Sequence, residues 1–194
     1  MKVIILTKKK FFHWFSSKKL NINIHDSLES LEPNKKQILI SCNTNIIIPK
    51  NIFSNYKIAI NIHPALYTFP GRDPHHWASY EKAKFYGATA HIISEKVDQG
   101  EIIDYQKIQV NNFTPAYYKK VGNECSKILL NRIYDKISKD TINSQPSNKI
   151  IWRKKVFKRK DLLEMCNFEN INQKEINLRK LAFAGFEKYF VYGE

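Results

Sequence analysis

Residues 58–64, Ile58-Ala59-Ile60-Asn61-Ile62-His63-Pro64, decide how the rest of this chain is read. Successive side chains of a β-strand point to opposite faces, so Ile58, Ile60 and Ile62 share one face while Ala59, Asn61 and His63 share the other. Pro64 has no N–H to give to a ladder and ends the strand just past the histidine. A strand over 56–62 therefore brings an amide and an imidazole together at its C-terminal edge. Taken singly, Asn61 could simply bond a turn and His63 could be a satisfied core histidine.

Working outward, residues 3–7 and 37–42 are apolar, β-branched runs that read as two more strands. The segment Lys8-Lys9-Lys10-Phe11-Phe12-His13-Trp14 that follows the first has no glycine and does not suit a phosphate-cradling loop. A helix is expected over 74–86, with Asp73 as N-cap, Pro74 in its first turn and Gly87 as its stop. Strands over 88–94 and 101–110 flank a turn at Val97-Asp98-Gln99-Gly100. The longest helical pattern is 114–139, where Tyr118, Val121, Cys125, Ile128, Leu129, Arg132 and Ile133 keep a period near 3.6. A last helix is expected over 173–183. The order is α/β, and in open α/β sheets reactive groups collect at the carboxyl ends of strands, where both Asn61-Ile62-His63 and Asp98 are expected to emerge.

Composition narrows the class. The 194 residues are 43% hydrophobic and 13% aromatic, enough for one good core. Apolar runs stop far short of the roughly 20 residues that cross a bilayer, and the N-terminus lacks the pattern of a secretory signal, so the expected location is the cytoplasm. Cys42, Cys125 and Cys166 are far apart with no C-x-x-C pair, which favours buried thiols over disulfides or a thiolate metal site.

The net charge of +14 suggests an anionic partner, yet 27 of the 32 basic residues are Lys, beside 18 Asn and 26 Ile. Coding bias toward A and T produces that excess, and Arg, the usual reader of phosphate and guanine, is scarce. Nucleic acid is thus open but not favoured. One patch stands out: seven of the twelve residues 149–160 are basic and none is acidic. It reads as an edge strand guarded by lysines, with nucleotide contact as the other reading. Gln145-Pro146-Ser147-Asn148 reads as a linker dividing a domain over 1–144 from a small extension over 145–194.

Several separated motifs, in order, resemble the folate-dependent formyltransferases. They are Asn61-Ile62-His63-Pro64, Gly71-Arg72-Asp73-Pro74-His75-His76-Trp77-Ala78, Gly87-Ala88-Thr89-Ala90-His91 and Val97-Asp98-Gln99-Gly100-Glu101-Ile102-Ile103. The likeness covers about residues 37–110 well, and looser likeness appears at Leu178-Arg179-Lys180-Leu181-Ala182-Phe183. It implies a Rossmann-like fold with a mostly parallel sheet and transfer of a formyl group from 10-formyltetrahydrofolate to a primary amine, with no metal. By the same likeness Asn61, His63 and Asp98 are catalytic. Ile46, Ile47 and Ile48, with Ser94, Lys96 and Val97, border the folate, and Arg72 and His75 meet the acceptor.

Such chemistry suits those residue types. Attack on a formyl carbon builds an oxyanion, which an Asn61 N–H and a cationic His63 would stabilise. Asp98 would hold His63 cationic and take the proton the amine loses, directly or through water. Thr89 and His91 are expected to orient Asp98 rather than react. Only 60 residues precede Asn61, fewer than the family's usual two βα units, so a shortened N-terminal sheet is expected. Without a glycine-rich phosphate loop or room for a C-terminal barrel, the resemblance narrows to the sugar N-formyltransferases, acting on a nucleotide-linked amino sugar. Charge alone suggests Arg153 or Lys155 for its pyrophosphate. The alternatives are a formyltransferase for methionyl-tRNA or another amino acid, and a non-catalytic nucleic-acid-binding or interaction relative. Aromatic residues Phe186, Tyr189 and Phe190 leave a homodimer seam open.

Overall fold

The computed structural model describes residues 2–15, 20–142 and 150–193. The expected linker at 145–148 lies outside them. Six strands form one sheet in the order β2-β1-β3-β4-β5-β6, with β1 Lys2–Leu6, β2 Asn21–His25, β3 Gln37–Cys42, β4 Ile58–His63, β5 Phe85–Ile92 and β6 Ile102–Gln109. The first four run parallel; β5 and β6 are antiparallel. Strands β1 and β3 are buried on both faces, which is why they read as unbroken apolar runs rather than alternating ones.

Two apolar layers sandwich the sheet. Ile60 and Ile62 face the larger one, where α2 Pro74–Tyr80, α3 Pro115–Ser138 and α5 Gln173–Ala182 lie. Ala59 faces the smaller one, with Leu39, Ile48 and Tyr56. Helix α4, Arg159–Met165, and α5 put Leu162, Cys166, Ala182 and Phe183 into the same core as Ile5 and Ile40. No helix of the described residues is long and apolar enough to cross a membrane.

Three parallel strands, β1, β2 and β3, precede β4 in the chain. Among the described residues, the link after β1 carries the 3₁₀ turn Lys9–Trp14, and that between β3 and β4 the four-residue α1, Lys50–Phe53. Strand β2, whose Ile22 and Ile24 alternate with polar residues, is an element the sequence reading missed.

Other expectations need correcting. Helix α2 stops at Tyr80, because Lys82 takes a left-handed conformation with φ 47°. Gly87 therefore lies inside β5, where a Cβ would sit 1.7 Å from the Gln106 carbonyl oxygen. Asp73 occupies the N-cap position of α2 without capping it; at φ 56° its carboxylate turns instead to Arg159, 3.0 Å away. On α3, Ile128 is 49% exposed, and Arg132 pairs with Asp104 on β6 instead of entering the core. Residues 150–157 form no strand: the sheet edges are β2 and β6. All three cysteines are buried free thiols, and burial pushes Cys42 up to about 12 and Cys125 up to about 11. Phe186 packs on His76 and Phe190 on Phe168.

Candidate active site

The antiparallel register of β4 and β5 sets the centre of the site. Asn61 lies opposite His91 and His63 opposite Thr89, so four polar side chains fall on neighbouring positions of one face. After β5 the chain folds back: the Ile93 N–H donates to the Ala59 carbonyl at 2.8 Å, and the turn through Asp98, itself at φ 48°, returns over that face. Convergence therefore comes from this fold-back and not from two parallel strand ends, as the sequence had suggested.

Asp98 is the hub. Its Oδ2 accepts the Gly71 backbone N–H at 2.8 Å and lies 3.3 Å from His63 Nδ1. Its Oδ1 lies 3.3 Å from His91 Nε2 and accepts a long, 3.4 Å bond from Asn61 Nδ2. Burial alone would raise the Asp98 carboxyl, but the charge of His63, the hydrogen bond and charge of His91 and the Gly71 N–H together hold it down at about 2. Asp98 is thus a buried, fully ionised carboxylate.

The two imidazoles are held differently. His63 Nε2 faces the Phe69 carbonyl oxygen at 2.8 Å while Nδ1 faces Asp98. Both neighbours are acceptors, so either ring nitrogen can hydrogen-bond to the group it faces only as an N–H donor. His91 Nδ1 donates to the Ile92 carbonyl at 2.8 Å, leaving Nε2 to face Asn61 Nδ2 at 3.1 Å. Thr89 does not touch Asp98; its hydroxyl donates to the Ala65 carbonyl at 2.9 Å.

Above this floor lies a cavity of about 430 Å³, in the range of small-ligand sites. Ile46, Ile47, Ile48 and Val97 line it, with Ile47 72% and Val97 43% exposed, an apolar rim suited to a flat heteroaromatic group. Ser94 and Lys96 line it too, and the Ser94 hydroxyl donates to the Lys96 carbonyl. Further basic residues line it: Lys8, Lys10, Arg72, Arg159 and, from α3, Lys119. Burial and then the charges of Lys10, Lys119 and Arg72 push the Lys8 ammonium below its usual range. Among the described residues no carboxylate pairs with Lys8, Lys10 or Lys119, whereas Arg72 has Asp73 at 3.8 Å. His75 lines the same cavity, and burial, with His76 and Lys119 beside it, pushes its imidazole down to about 3, so it stays neutral.

Arg153 does not reach the cavity. It pairs with Glu81 at 2.8 Å, and Lys155 lies over Trp77 and Phe157. From the basic tail it is Arg159 that lines the cavity, and it is joined there by Lys8 and Lys10 after β1, which sequence reasoning set aside for want of glycine. Lys119 carried no signal beyond one more lysine on a helix. No group of three or more His, Cys, Asp or Glu among the described residues is arranged to hold a metal ion.

An α/β sheet with a half-buried amide, two buried imidazoles and a buried carboxylate under one cavity defines a class of site built to meet developing charge. Residues 9–133 match the formyl transferase family, and the chain belongs to that family. It is 30% identical over 136 residues to the formyltetrahydrofolate deformylase of Haemophilus influenzae, a match covering 68% of this chain and 49% of that protein. The chain spans about half the length of the curated relatives it matches. A 4-N formyltransferase from Francisella tularensis superposes with a TM-score of 0.72 at 18% identity, over 93% of this chain and 87% of that one. The formyltransferase PseJ from Anoxybacillus kamchatkensis, in complex with UDP-4,6-dideoxy-4-formamido-L-AltNAc and tetrahydrofolate, superposes with a TM-score of 0.66 at 24% identity, over 84% of this chain and 89% of that one.

Proposed function

We propose that this protein transfers a formyl group from 10-formyltetrahydrofolate to the primary amine of a nucleotide-linked amino sugar. The observation that carries the reading is one cavity in which the Asp98 carboxylate, in contact with His63, His91 and Asn61, lies under both an apolar rim and a set of cations, of which Lys8, Lys10 and Lys119 have no carboxylate partner among the described residues. The rim of Ile46, Ile47, Ile48 and Val97 fits the pterin, and the bound folate supplies an activated formyl group. Lys8, Lys10, Arg72 and Lys119 fit a pyrophosphate, the group that a nucleotide-linked sugar presents. The ligands of PseJ, a nucleotide-linked formamido sugar and a folate, favour the same pairing of substrates.

Asn61 is the donor with freedom to act. Its bond to Asp98 is 3.4 Å, beyond the usual 2.7–3.2 Å, so that N–H can pass to an oxygen acquiring negative charge. His63 has both nitrogens engaged and serves as a fixed positive charge beneath the reacting carbon instead of a direct donor. The amine nitrogen forms its bond to the formyl carbon, the bond from that carbon to the folate nitrogen breaks, and Asp98 takes the proton the amine loses, directly or through water, and passes it to the departing folate nitrogen. Folate leaves as tetrahydrofolate.

The test is incubation of the full chain with 10-formyltetrahydrofolate and a panel of nucleotide-linked amino sugars, following formyl mass gain on the amine and tetrahydrofolate release. Formylated sugar supports the reading. The likeness to deformylases favours a second reading, in which water replaces the amine. Formate release at the same rate without any acceptor would select it.

A further inference from the structure

We infer that residues 152–157, outside the stretch matched to the transferase family, strap the site together, and that Trp152 is a positioning residue for Asp98. The inference starts from where the hub's partners come from. Asp98 lies in the 93–101 turn, while the Gly71 N–H it accepts and the Phe69 carbonyl facing His63 lie in the 64–73 loop. These are two irregular segments, and neither is fixed by the sheet ladder.

The strap holds both. The Trp152 indole N–H donates to the Gly100 carbonyl at 2.7 Å, two residues beyond Asp98. The Arg153 N–H donates to the Tyr67 carbonyl at 3.0 Å and the Phe157 N–H to the Pro70 carbonyl at 2.9 Å. In return, the Arg72 N–H donates to the Phe157 carbonyl at 2.8 Å. Gly71 approaches so closely, at φ 99°, that a Cβ there would sit 2.2 Å from the Phe157 oxygen. One segment thus pins the turn that carries the carboxylate and the loop that carries its backbone donor.

Trp152 also touches the imidazoles themselves. Its ring meets His91 edge-on, centroids 5.0 Å apart at 88°, and His63 at 6.0 Å and 68°. It is buried, so it excludes water from the back of both rings. The indole adds the one N–H that reaches Gly100.

The deciding experiment compares the full chain with Trp152→Phe, which keeps a ring and loses the donor, and Trp152→Leu, which loses both. Kinetic readouts rest on the transferase reading; ¹⁵N-histidine spectra of the imidazoles do not. The expected result for Trp152→Phe is a retained fold, a kcat about tenfold lower, an unchanged KM for the folate, and moved ring-nitrogen signals for His63 and His91. The acid limb of the rate should also move to higher pH, because a loosened Asp98 returns toward the ordinary carboxylate range. Trp152→Leu should go further in the same directions, and Trp152→Phe decides the matter even where the Leu variant does not fold. Lower thermal stability with unmoved histidine signals and an unmoved acid limb would overturn the inference, as would a kcat equal to the parent's. A parent with no formyl transfer, but with histidine signals that respond to Trp152→Phe, would sink the transferase reading and leave the strap standing.

Discussion

The floor of the cavity and its basic rim are built on opposite terms. On the floor, Asn61, His63, His91 and Asp98 each have a partner within the protein, and the partners come from two strands, a loop and a turn. On the rim, Lys8, Lys10 and Lys119 gather on the cavity, burial and then the charges of Lys10, Lys119 and Arg72 push the Lys8 ammonium down, and no carboxylate among the described residues pairs with these three lysines. The floor is satisfied within the protein, whereas the rim, on the proposed function, takes its counter-charge from the acceptor's pyrophosphate. Catalysis needs the first kind of construction, because dipoles already aimed cost nothing to reorganise. Binding tolerates the second, since a ligand's own charge supplies the missing partner.

That contrast can be broken at the floor first. Asp98→Asn should lower kcat by about 10³-fold or more while leaving folate affinity nearly unchanged, measured by turnover beside equilibrium binding. Asn61→Ala should follow, with kcat down about 10²-fold and little change in either KM. At the rim the pattern should invert. Lys8→Ala, Lys10→Ala and Lys119→Ala should each raise the KM for a nucleotide-linked acceptor about tenfold with kcat preserved, an effect that shrinks as salt rises. Loss of kcat in the lysine variants, or of KM alone in Asp98→Asn, would erase the distinction.

Acid titration of stability sharpens it further. A carboxyl held at about 2 when folded, against its ordinary value near 4, stabilises the fold above that ordinary value. As pH falls from about 4 to about 2 the contribution, about 2 kcal/mol, is lost. Asp98→Asn should flatten that part of a urea-unfolding series. The smallest effect belongs to Arg153→Ala, outside the cavity, which should leave the acceptor KM within about twofold and cost under about 1 kcal/mol for its half-exposed pair with Glu81.

Much of the floor was legible in the sequence because it rests on short-range rules. Period two puts Asn61 and His63 on one face, and Pro64 fixes where the strand ends. The resemblance added Asp98 and His91. What stayed hidden depends on long-range geometry. No local pattern says that β5 runs antiparallel, that Gly87 belongs to a strand, or that Trp152 reaches Gly100 across 52 residues. Within the basic tail, charge shows in the sequence but does not tell Arg153, which Glu81 takes up, from Arg159, which lines the cavity. Lys8 to Lys10 were passed over because a phosphate loop was sought in backbone terms, and here the cations are side chains.

The most direct test is a single-turnover experiment with 10-formyltetrahydrofolate and a nucleotide-linked amino sugar, run on the parent and on Asp98→Asn at saturating concentrations of both. Formylated sugar in the parent, and almost none in the variant despite equal folate occupancy, is the result predicted here. Equal product from both proteins would contradict it, and so would formate in place of formylated sugar.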